Sequence, residues 1–194
     1  MRRRALLGIA GASMAGLAGC LGATEYTVTD VRVGSASGPF GVDVSLVEPD
    51  AVIEHPARLD VSVTNQQSDP LRVRNTGIWP FGLLELVRSP DTDNPWPGTL
   101  LWTRRYEESQ YIEAVAEGRS LDRVRSTPLV RTLEPRATAS ETYELHGDDI
   151  DEAGTRYVRG RPDPPLLEYA GDGSDEWTSF LPEIEVELEG TDLL

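Results

Sequence analysis

Alternation of apolar and polar residues is the dominant pattern along the chain, and it is typical of β-strands with one buried face. In the segment ARLDVSVTN, residues 57–65, the apolar side chains of Leu59, Val61 and Val63 alternate with polar ones. The segment EIEVELEG, residues 183–190, repeats the pattern with three apolar residues set between glutamates. Both segments are predicted to be half-buried antiparallel strands.

Weaker alternation predicts further strands, and clusters of proline and glycine such as SGPFG, SPDTDNPWPG and GRPDPP separate them. Seven to ten short strands at this spacing favour an all-β fold, an antiparallel β-sandwich, over alternating strands and helices. The weaker strands are predicted at Thr27 to Val33, Val42 to Val47, Leu71 to Val73, Leu83 to Val87, Thr99 to Trp102, Thr142 to Leu145, Arg156 to Arg159 and Leu166 to Tyr169.

The stretch YEESQYIEAVAEGRSLDRVR, residues 106–125, departs from this pattern because its first half is rich in helix formers. One interpretation is a helix of three turns with Tyr111, Ile112 and Val115 on one face, ending at Gly118. The other is a strand followed by an excursion from the sandwich. The sequence leaves both open.

The N-terminal nineteen residues have the charge and hydropathy profile of a signal peptide. Three arginines follow Met1, and no acidic residue precedes Glu25. The apolar run at residues 5–18 is about as long as a secretory hydrophobic region and shorter than the ~20 residues that span a bilayer as a helix. Within the basic part, Arg3 and Arg4 followed by ALL resemble the twin-arginine export signal, which implies export of a folded protein.

The apolar run ends in Leu17, Ala18, Gly19 and Cys20, and Cys20 is the only cysteine of the chain. These four residues resemble the lipobox of prokaryotic lipoproteins. The resemblance implies cleavage between Gly19 and Cys20 and lipid on the Cys20 sulfur. The alternatives are an ordinary signal peptide with a chance cysteine, or a free buried cysteine.

These features predict three parts: a signal peptide at residues 1–19 that is removed, a lipidated N-terminus and short tether at residues 20–25, and a single β-sandwich domain at residues 26–194. Two acyl chains hold a protein on a membrane stably, whereas one holds it marginally. Fully extended, the tether reaches only about 20 Å at ~3.3–3.6 Å per residue. The domain is therefore predicted to lie close to the extracellular face of the cell membrane.

The charge balance is strongly acidic. All 18 basic residues are arginines, and 33 acidic residues give a net charge of −15, which becomes −18 once the three signal arginines are removed. An acid excess without lysine resembles proteins of halophilic archaea, whose charge repulsion is screened by salt. The alternative is an acidic protein encoded by a GC-rich genome. In either case nucleic acid is excluded as a partner, because phosphate contacts require a basic patch.

Three segments share a pattern with known sandwich domains. LEPRATASETYEL at residues 133–145 and DEAGTRYVRG at residues 151–160 resemble strands of immunoglobulin-like domains and of the intracellular proteinase-inhibitor family. PARLDVSVTNQQSDPLRV at residues 56–73 resembles the opening of those domains. The departure is Arg136, where the pattern expects glycine. The resemblance implies an immunoglobulin-like sandwich and does not assign a function.

No catalytic constellation is visible in the sequence. Only His55 and His146 are available as imidazole bases or ligands, and no Gly-x-Ser-x-Gly motif occurs, since GSASG at residues 34–38 has Ala36 at its centre. A zinc site is not predicted either, because neither a His-Glu-x-x-His motif nor a cysteine cluster occurs. We expect no catalytic residues and no cofactor beyond the covalent lipid.

Calcium is a weaker candidate ligand, because acidic residues crowd several predicted loops. Asp91 and Asp93 form one such cluster, and Asp172 and Asp175 form another. Neither follows the twelve-residue calcium loop: after Asp91, proline and tryptophan occupy the fifth and sixth positions. The sequence therefore predicts solvated acidic loops in preference to a metal site.

Aromatic residues on predicted loops offer a candidate binding surface. Trp79 and Phe81 lie in GIWPFG, and Trp96 lies in NPWPG. Such rings bind sugars or protein partners when exposed, and they plug the ends of a sandwich when buried.

Two function classes remain. The first is a non-catalytic, membrane-anchored surface lipoprotein that binds or scaffolds an envelope protein or glycan. The second is an extracellular carboxylate-based enzyme such as a glycoside hydrolase, in which two acids ~5–9.5 Å apart flank the substrate. The first is preferred, since the acidic residues fall on wet faces and loops.

Overall fold

The computed structural model describes residues 25–35, 37–90, 98–115, 118–161 and 165–191 of the chain. These residues form an all-β, sandwich-like fold with one short helix, α1 (Arg105–Glu108), and a 3-10 turn at Gly147–Asp149. The strands are β1 (Tyr26–Val33), β2 (Phe40–Glu48), β3 (Asp50–Ala51), β4 (Ala57–Asn65), β5 (Leu71–Thr76), β6 (Leu83–Val87), β7 (Thr99–Leu101), β8 (Ile112–Val115), β9 (Ser120–Val124), β10 (Pro128–Leu133), β11 (Thr138–Leu145), β12 (Gly154–Arg161), β13 (Leu167–Gly171), β14 (Thr178–Phe180) and β15 (Ile184–Gly190).

Two antiparallel sheets wrap around one core. The larger has the order β3-β1-β15-β12-β6-β7, and a three-stranded sheet has the order β11-β4-β2. A bridge between Trp102 and Glu144 joins the end of β7 to β11, and Val28 of β1 donates a hydrogen bond to the carbonyl of Pro49, next to β2. A four-stranded sheet, β10-β5-β13-β14, and the β8–β9 hairpin complete the described fold.

The alternating segments bury the faces that the sequence predicts. Leu59, Val61 and Val63 of β4 are fully buried, and the apolar residues of β15 are buried as well. All five residues of β6 are buried, which is typical of a strand covered on both faces. The prediction of an all-β fold is therefore confirmed.

The strand count exceeds the predicted seven to ten because short elements carry too little pattern to detect. β3 has two residues and β14 has three. β10 begins with Pro128 and is mostly exposed, so it has no regular apolar face. These strands are formed by pairing with long neighbours and not by their own alternation.

Of the two interpretations left open for residues 106–125, the three-turn helix does not form. Helix α1 ends at Glu108, and Ile112 begins the β8–β9 hairpin, which turns at Gly118 (φ 118°) and Arg119 (φ 45°). The hydroxyl of Ser109 donates to the carbonyl of Gly77, and this tertiary hydrogen bond lies where the helix stops. Local helix propensity is overridden by pairing with the rest of the fold.

The two ends of the fold are defined by strand register. Tyr26, the first residue of β1, lies opposite Ala51 of β3 and Gly190 of β15, and we call this the proximal end because the N-terminal segment enters the fold here. β1 finishes opposite Ile184, and β12 finishes at Arg161 opposite Leu83, the first residue of β6. We call this the distal end.

In the smaller sheet, Phe40 pairs with Asn65 at the distal end, and Leu145 pairs with Ala57 at the other end of β4, next to the bridge between Glu144 and Trp102. No helix formed by the described residues has the length and hydropathy needed to cross a bilayer.

Candidate functional site

A groove of about 430 Å³ lies at the distal end, between the β5–β6 turn, helix α1 and β10. We call it the distal groove. Its lining combines aromatic, cationic and acidic side chains, chiefly Trp79, Tyr111, Arg105, Arg131 and Glu108. Convergent polar groups around aromatic rings are typical of binding sites.

Trp79 is positioned by a tight turn before β6. Gly82 holds a φ of 70°, and a Cβ there would lie 2.5 Å from the carbonyl oxygen of Thr76, so only glycine fits this close approach. Trp79 is joined to Pro80 by a cis peptide bond and is half-buried against the core. The guanidinium of Arg131 lies 5.8 Å from the centre of the Trp79 ring, within range of a cation–π interaction.

Helix α1 forms the opposite wall and is fixed from below by a buried acid. Arg105 donates to the Glu141 carboxylate at 2.8 Å, and the Thr103 hydroxyl donates to its other oxygen at 2.6 Å. Glu141 is 9% exposed, so the pair holds one side of Arg105 in place while the remaining guanidinium lines the groove. Charge-assisted hydrogen bonds of this kind orient the side chain strongly.

Of the three aromatic residues predicted to form a binding surface, only Trp79 lines the distal groove in the described part of the chain. Phe81 is 2% exposed and packs in the core, so it does not contribute to a surface. Trp96 lies outside the described residues. The sequence did not predict that Arg105, Tyr111 and Arg131 line a site. They lie on α1, in the turn that follows it and on β10, where the alternation of apolar and polar residues is too weak to predict the structure.

The interior carboxylates accept hydrogen bonds from arginines and from a backbone amide or a hydroxyl group. Glu85 is 3% exposed, and its two oxygens accept hydrogen bonds from Arg159 at 2.8 Å and from the Gly98 amide at 3.1 Å. Glu141 is bound through both oxygens in the same way. Neither acid is placed to protonate a leaving group or to activate water, because each oxygen already accepts a short hydrogen bond.

Two buried tyrosines reinforce the interior and are held neutral. Burial raises the pKa of both Tyr106 and Tyr143 well above its ordinary value. The Tyr106 hydroxyl accepts a hydrogen bond from the Leu84 amide at 3.3 Å, and the Tyr143 hydroxyl donates to the Gly82 carbonyl at 3.4 Å. Tyr106 therefore joins α1 to β6, and Tyr143 joins β11 to the turn that precedes β6.

The two histidines meet in a second cavity, of about 340 Å³, at the proximal end. His55 and His146 line it with Arg119, whose guanidinium binds Asp148 at 2.5 Å and Asp149 at 2.7 Å. Burial, and then the charge of Arg119, lower the pKa of His146. The described lining includes no serine, threonine or cysteine, so these histidines have no nucleophile to activate there.

The calcium candidates divide between described and undescribed residues. Asp172 and Asp175 are exposed at the turn after β13, and Asp175 lies 3.6 Å from Arg72. In the part of the chain that the structure describes, no group of three or more His, Cys, Asp or Glu side chains is arranged to hold a metal ion. Several predicted residues lie outside the described ranges: Arg3, Arg4, Gly19, Cys20, Asp91 and Asp93.

Comparison with known proteins gives a family without an assigned role. The family described as "Domain of unknown function (DUF8130)" matches residues 1–194 of the chain. No curated protein and no solved structure matches the chain.

Proposed function

The chain belongs to this family, and we propose from its own residues that it is a non-catalytic, lipid-anchored surface lipoprotein whose distal groove binds a partner in the cell envelope. Lipid on Cys20 holds the domain at the extracellular face of the cell membrane. The partner is an envelope protein or a glycan that contacts Trp79 and Tyr111.

The observation that carries this proposal is the position of the groove relative to the tether. The tether joins the domain at Tyr26, at the proximal end, whereas the groove is built from the turn that precedes β6, at the distal end. An anchor at Cys20 therefore turns the groove away from the membrane and toward other envelope components. A groove beside the tether would be covered by the membrane.

The chemistry of the groove supports binding. Two aromatic rings offer apolar surface, while Arg105, Arg131 and Glu108 offer charged hydrogen-bonding groups at its rim. Such a mixture recognises a polar ligand with apolar faces, which describes both carbohydrates and peptide segments.

The same geometry supports a binding role over carboxylate catalysis. The buried acids Glu85 and Glu141 each have both oxygens occupied, and the described residues of the distal groove place only one acid, Glu108, in its lining. Glycoside hydrolysis needs two acids across the scissile bond.

Export and environment complete the proposal. Arg3 and Arg4 direct the folded precursor to a twin-arginine exporter, and the signal peptide is cleaved between Gly19 and Cys20. The acid excess suits a saline exterior, as in halophilic archaea.

Copurification from native membranes tests the groove. We expect a defined envelope component to copurify with the wild-type protein and with Leu181→Ala, an exposed apolar residue that does not line the groove. Arg131→Glu should reduce its recovery severalfold, because Arg131 is exposed and its reversal places a negative charge over the Trp79 ring.

Thermal unfolding of each variant checks that the fold is retained. Equal recovery of the envelope component with wild type, Leu181→Ala and Arg131→Glu would contradict binding at the distal groove.

A further inference from the structure

Three large apolar side chains near the proximal end are exposed to solvent. Val47 is 60% exposed and Leu46 is 37% exposed at the end of β2, and Ile53 is 78% exposed just after β3. We call these three residues the proximal corner. Large apolar side chains with this exposure are candidates for contact with an apolar environment.

A β-bulge interrupts the alternation of β2 at Val47. The register of β2 with β4 shifts between Leu46 and Glu48, so Val47 is the extra residue of a bulge. A bulge bends its strand and redirects the side chain it inserts. The chain then continues extended through Pro49, whose carbonyl accepts a hydrogen bond from the Val28 amide, into β3, and Ile53 lies beyond the end of the pairing with β1.

The proximal corner adjoins the point where the tether enters the fold. Ile53 is two residues beyond Ala51, which pairs with Tyr26, the first residue of β1. Only residues 21–25 separate Tyr26 from Cys20. At ~3.3–3.6 Å per extended residue, Cys20 lies within about 22 Å of Tyr26 even when the tether is fully stretched.

The salt concentration should control whether this corner contacts an anionic membrane, because acidic residues lie near it. Glu25, Glu48, Asp50 and Glu54 are neighbours in sequence of the proximal corner or of Tyr26, and their negative charges are repelled by anionic headgroups. That repulsion extends over ~10 Å at 0.1 M salt but only ~3 Å at 1 M. Apolar contact with the bilayer is therefore favoured at molar salt, opposite to the behaviour of a basic membrane-binding patch.

We propose that Leu46, Val47 and Ile53 insert into the headgroup region of the membrane that holds the lipid anchor, and that molar salt permits this contact. The inference rests on the proposed lipid anchor at Cys20. The tether keeps the corner at high local concentration near the bilayer, so a small apolar surface is sufficient for membrane contact. The contact fixes the orientation of the domain and keeps the distal groove directed outward.

Site-specific labelling of the full lipidated chain tests the contact. Ile53→Cys introduces a thiol at the corner, and Leu181→Cys introduces one at a residue of similar exposure, 54%, next to the distal end. Each variant is purified from membranes, labelled with an environment-sensitive fluorophore and reconstituted into vesicles of phosphatidylcholine and phosphatidylglycerol. Quenching by acrylamide reports exposure to water, and quenching by headgroup spin-labelled lipid reports contact with the bilayer.

At 2 M potassium chloride we expect the label at position 53 to be quenched severalfold less by acrylamide than the label at position 181. It should also be quenched by the spin-labelled lipid, and this difference should shrink at 0.1 M salt. Equal accessibility of the two labels to acrylamide at 2 M salt, on vesicle-bound protein, would overturn the membrane contact alone.

The wild-type chain separates this outcome from failure of the anchor. With lipid on its sulfur, Cys20 takes no fluorophore, and the wild-type chain remains with the vesicles. Labelling of the wild-type chain at Cys20, together with its release from the vesicles, would overturn both the proposed anchor and the membrane contact.

Discussion

Two arginines, Arg119 and Arg136, hold the left-handed backbone conformation that glycine adopts at no steric cost. Their φ angles are 45° and 62°. Arg136 stands where the resemblance to sandwich domains expects glycine, and its backbone has the conformation of that glycine while its exposed side chain has no hydrogen bond or ion pair with a described residue. Arg119 is held by Asp148 and Asp149. Side-chain contacts therefore compensate the strain at one position only.

Replacing each arginine by glycine separates backbone strain from side-chain contacts. Arg136→Gly relieves a strain of about 1–2 kcal/mol, partly offset by the greater entropy of glycine in the unfolded chain, so we expect unchanged stability or a gain of up to about 1 kcal/mol. Arg119→Gly relieves similar strain but loses two ion pairs, so it should be less stable than Arg136→Gly. Denaturant unfolding in molar salt measures both, and a less stable Arg136→Gly variant would contradict this interpretation.

At the scale of elements, long strands with one buried face are predictable and short paired segments are not. β4 and β6 occupy the residues that alternation and apolar content predict. The β8–β9 hairpin was one of two open interpretations, because its residues favour a helix locally and form strands only by pairing with each other and packing beside Gly77. Contacts between distant segments decide such elements.

The turn between β10 and β11 is joined to β4 by one buried side chain. The amide nitrogen of Asn65 lies 2.9 Å from the carbonyl oxygen of Asp69, 3.0 Å from that of Leu133 and 3.2 Å from that of Glu134. Its carbonyl oxygen accepts from the Gln67 amide at 2.9 Å. Asn65 is fully buried, so water does not replace these hydrogen bonds.

Asn65→Ala should lower the free energy of unfolding by about 2–4 kcal/mol, since each buried polar group left unsatisfied costs about 1–3 kcal/mol. Asn65→Asp is the matched control because it has nearly the same shape and keeps the acceptor for Gln67 but loses the donor. We expect Asp to be destabilising as well. If Asn65→Asp were as stable as wild type in denaturant unfolding, the three carbonyl contacts would have no structural importance.

For the whole molecule, the functional predictions made from the sequence rest on the charge pattern and on the N-terminal segment. Cys20, Arg3 and Arg4 lie in short segments that resemble known motifs, and such a resemblance does not depend on the fold. The distal groove combines Trp79, Tyr111 and Arg131 from three separate segments, and their proximity depends on the sheet register and on α1. Sequence reasoning found only Trp79, and it included Phe81, which the tight turn before β6 directs into the core.

The acid excess predicts that salt stabilises the domain. Residues 21–194 carry 15 arginines and 33 acids, and the repulsion among them extends over ~30 Å at 0.01 M salt but only ~3 Å at 1 M. The melting temperature of this soluble domain should therefore rise markedly between dilute buffer and molar sodium chloride. Potassium chloride should act alike, because screening does not depend on the identity of the ion.

Two results would change this interpretation. Equal melting temperatures in dilute and molar salt would remove the argument for a saline environment and leave the arginine usage to genome composition. A large rise with millimolar calcium alone would instead assign a ligating role to the acidic loops that contain Asp91, Asp93, Asp172 and Asp175.

The central claim is that lipid on Cys20 anchors the domain by its proximal end. Mass spectrometry of the protein purified from its native membranes, with analysis of the N-terminal peptide, tests it most directly. We predict a mature chain that begins at Cys20 and carries the added mass of a diacyl-type lipid on its sulfur, and a Cys20→Ser form that is absent from membranes as a processed species. A membrane-bound chain that retains residues 1–19, or one with an unmodified Cys20 thiol, would contradict the claim.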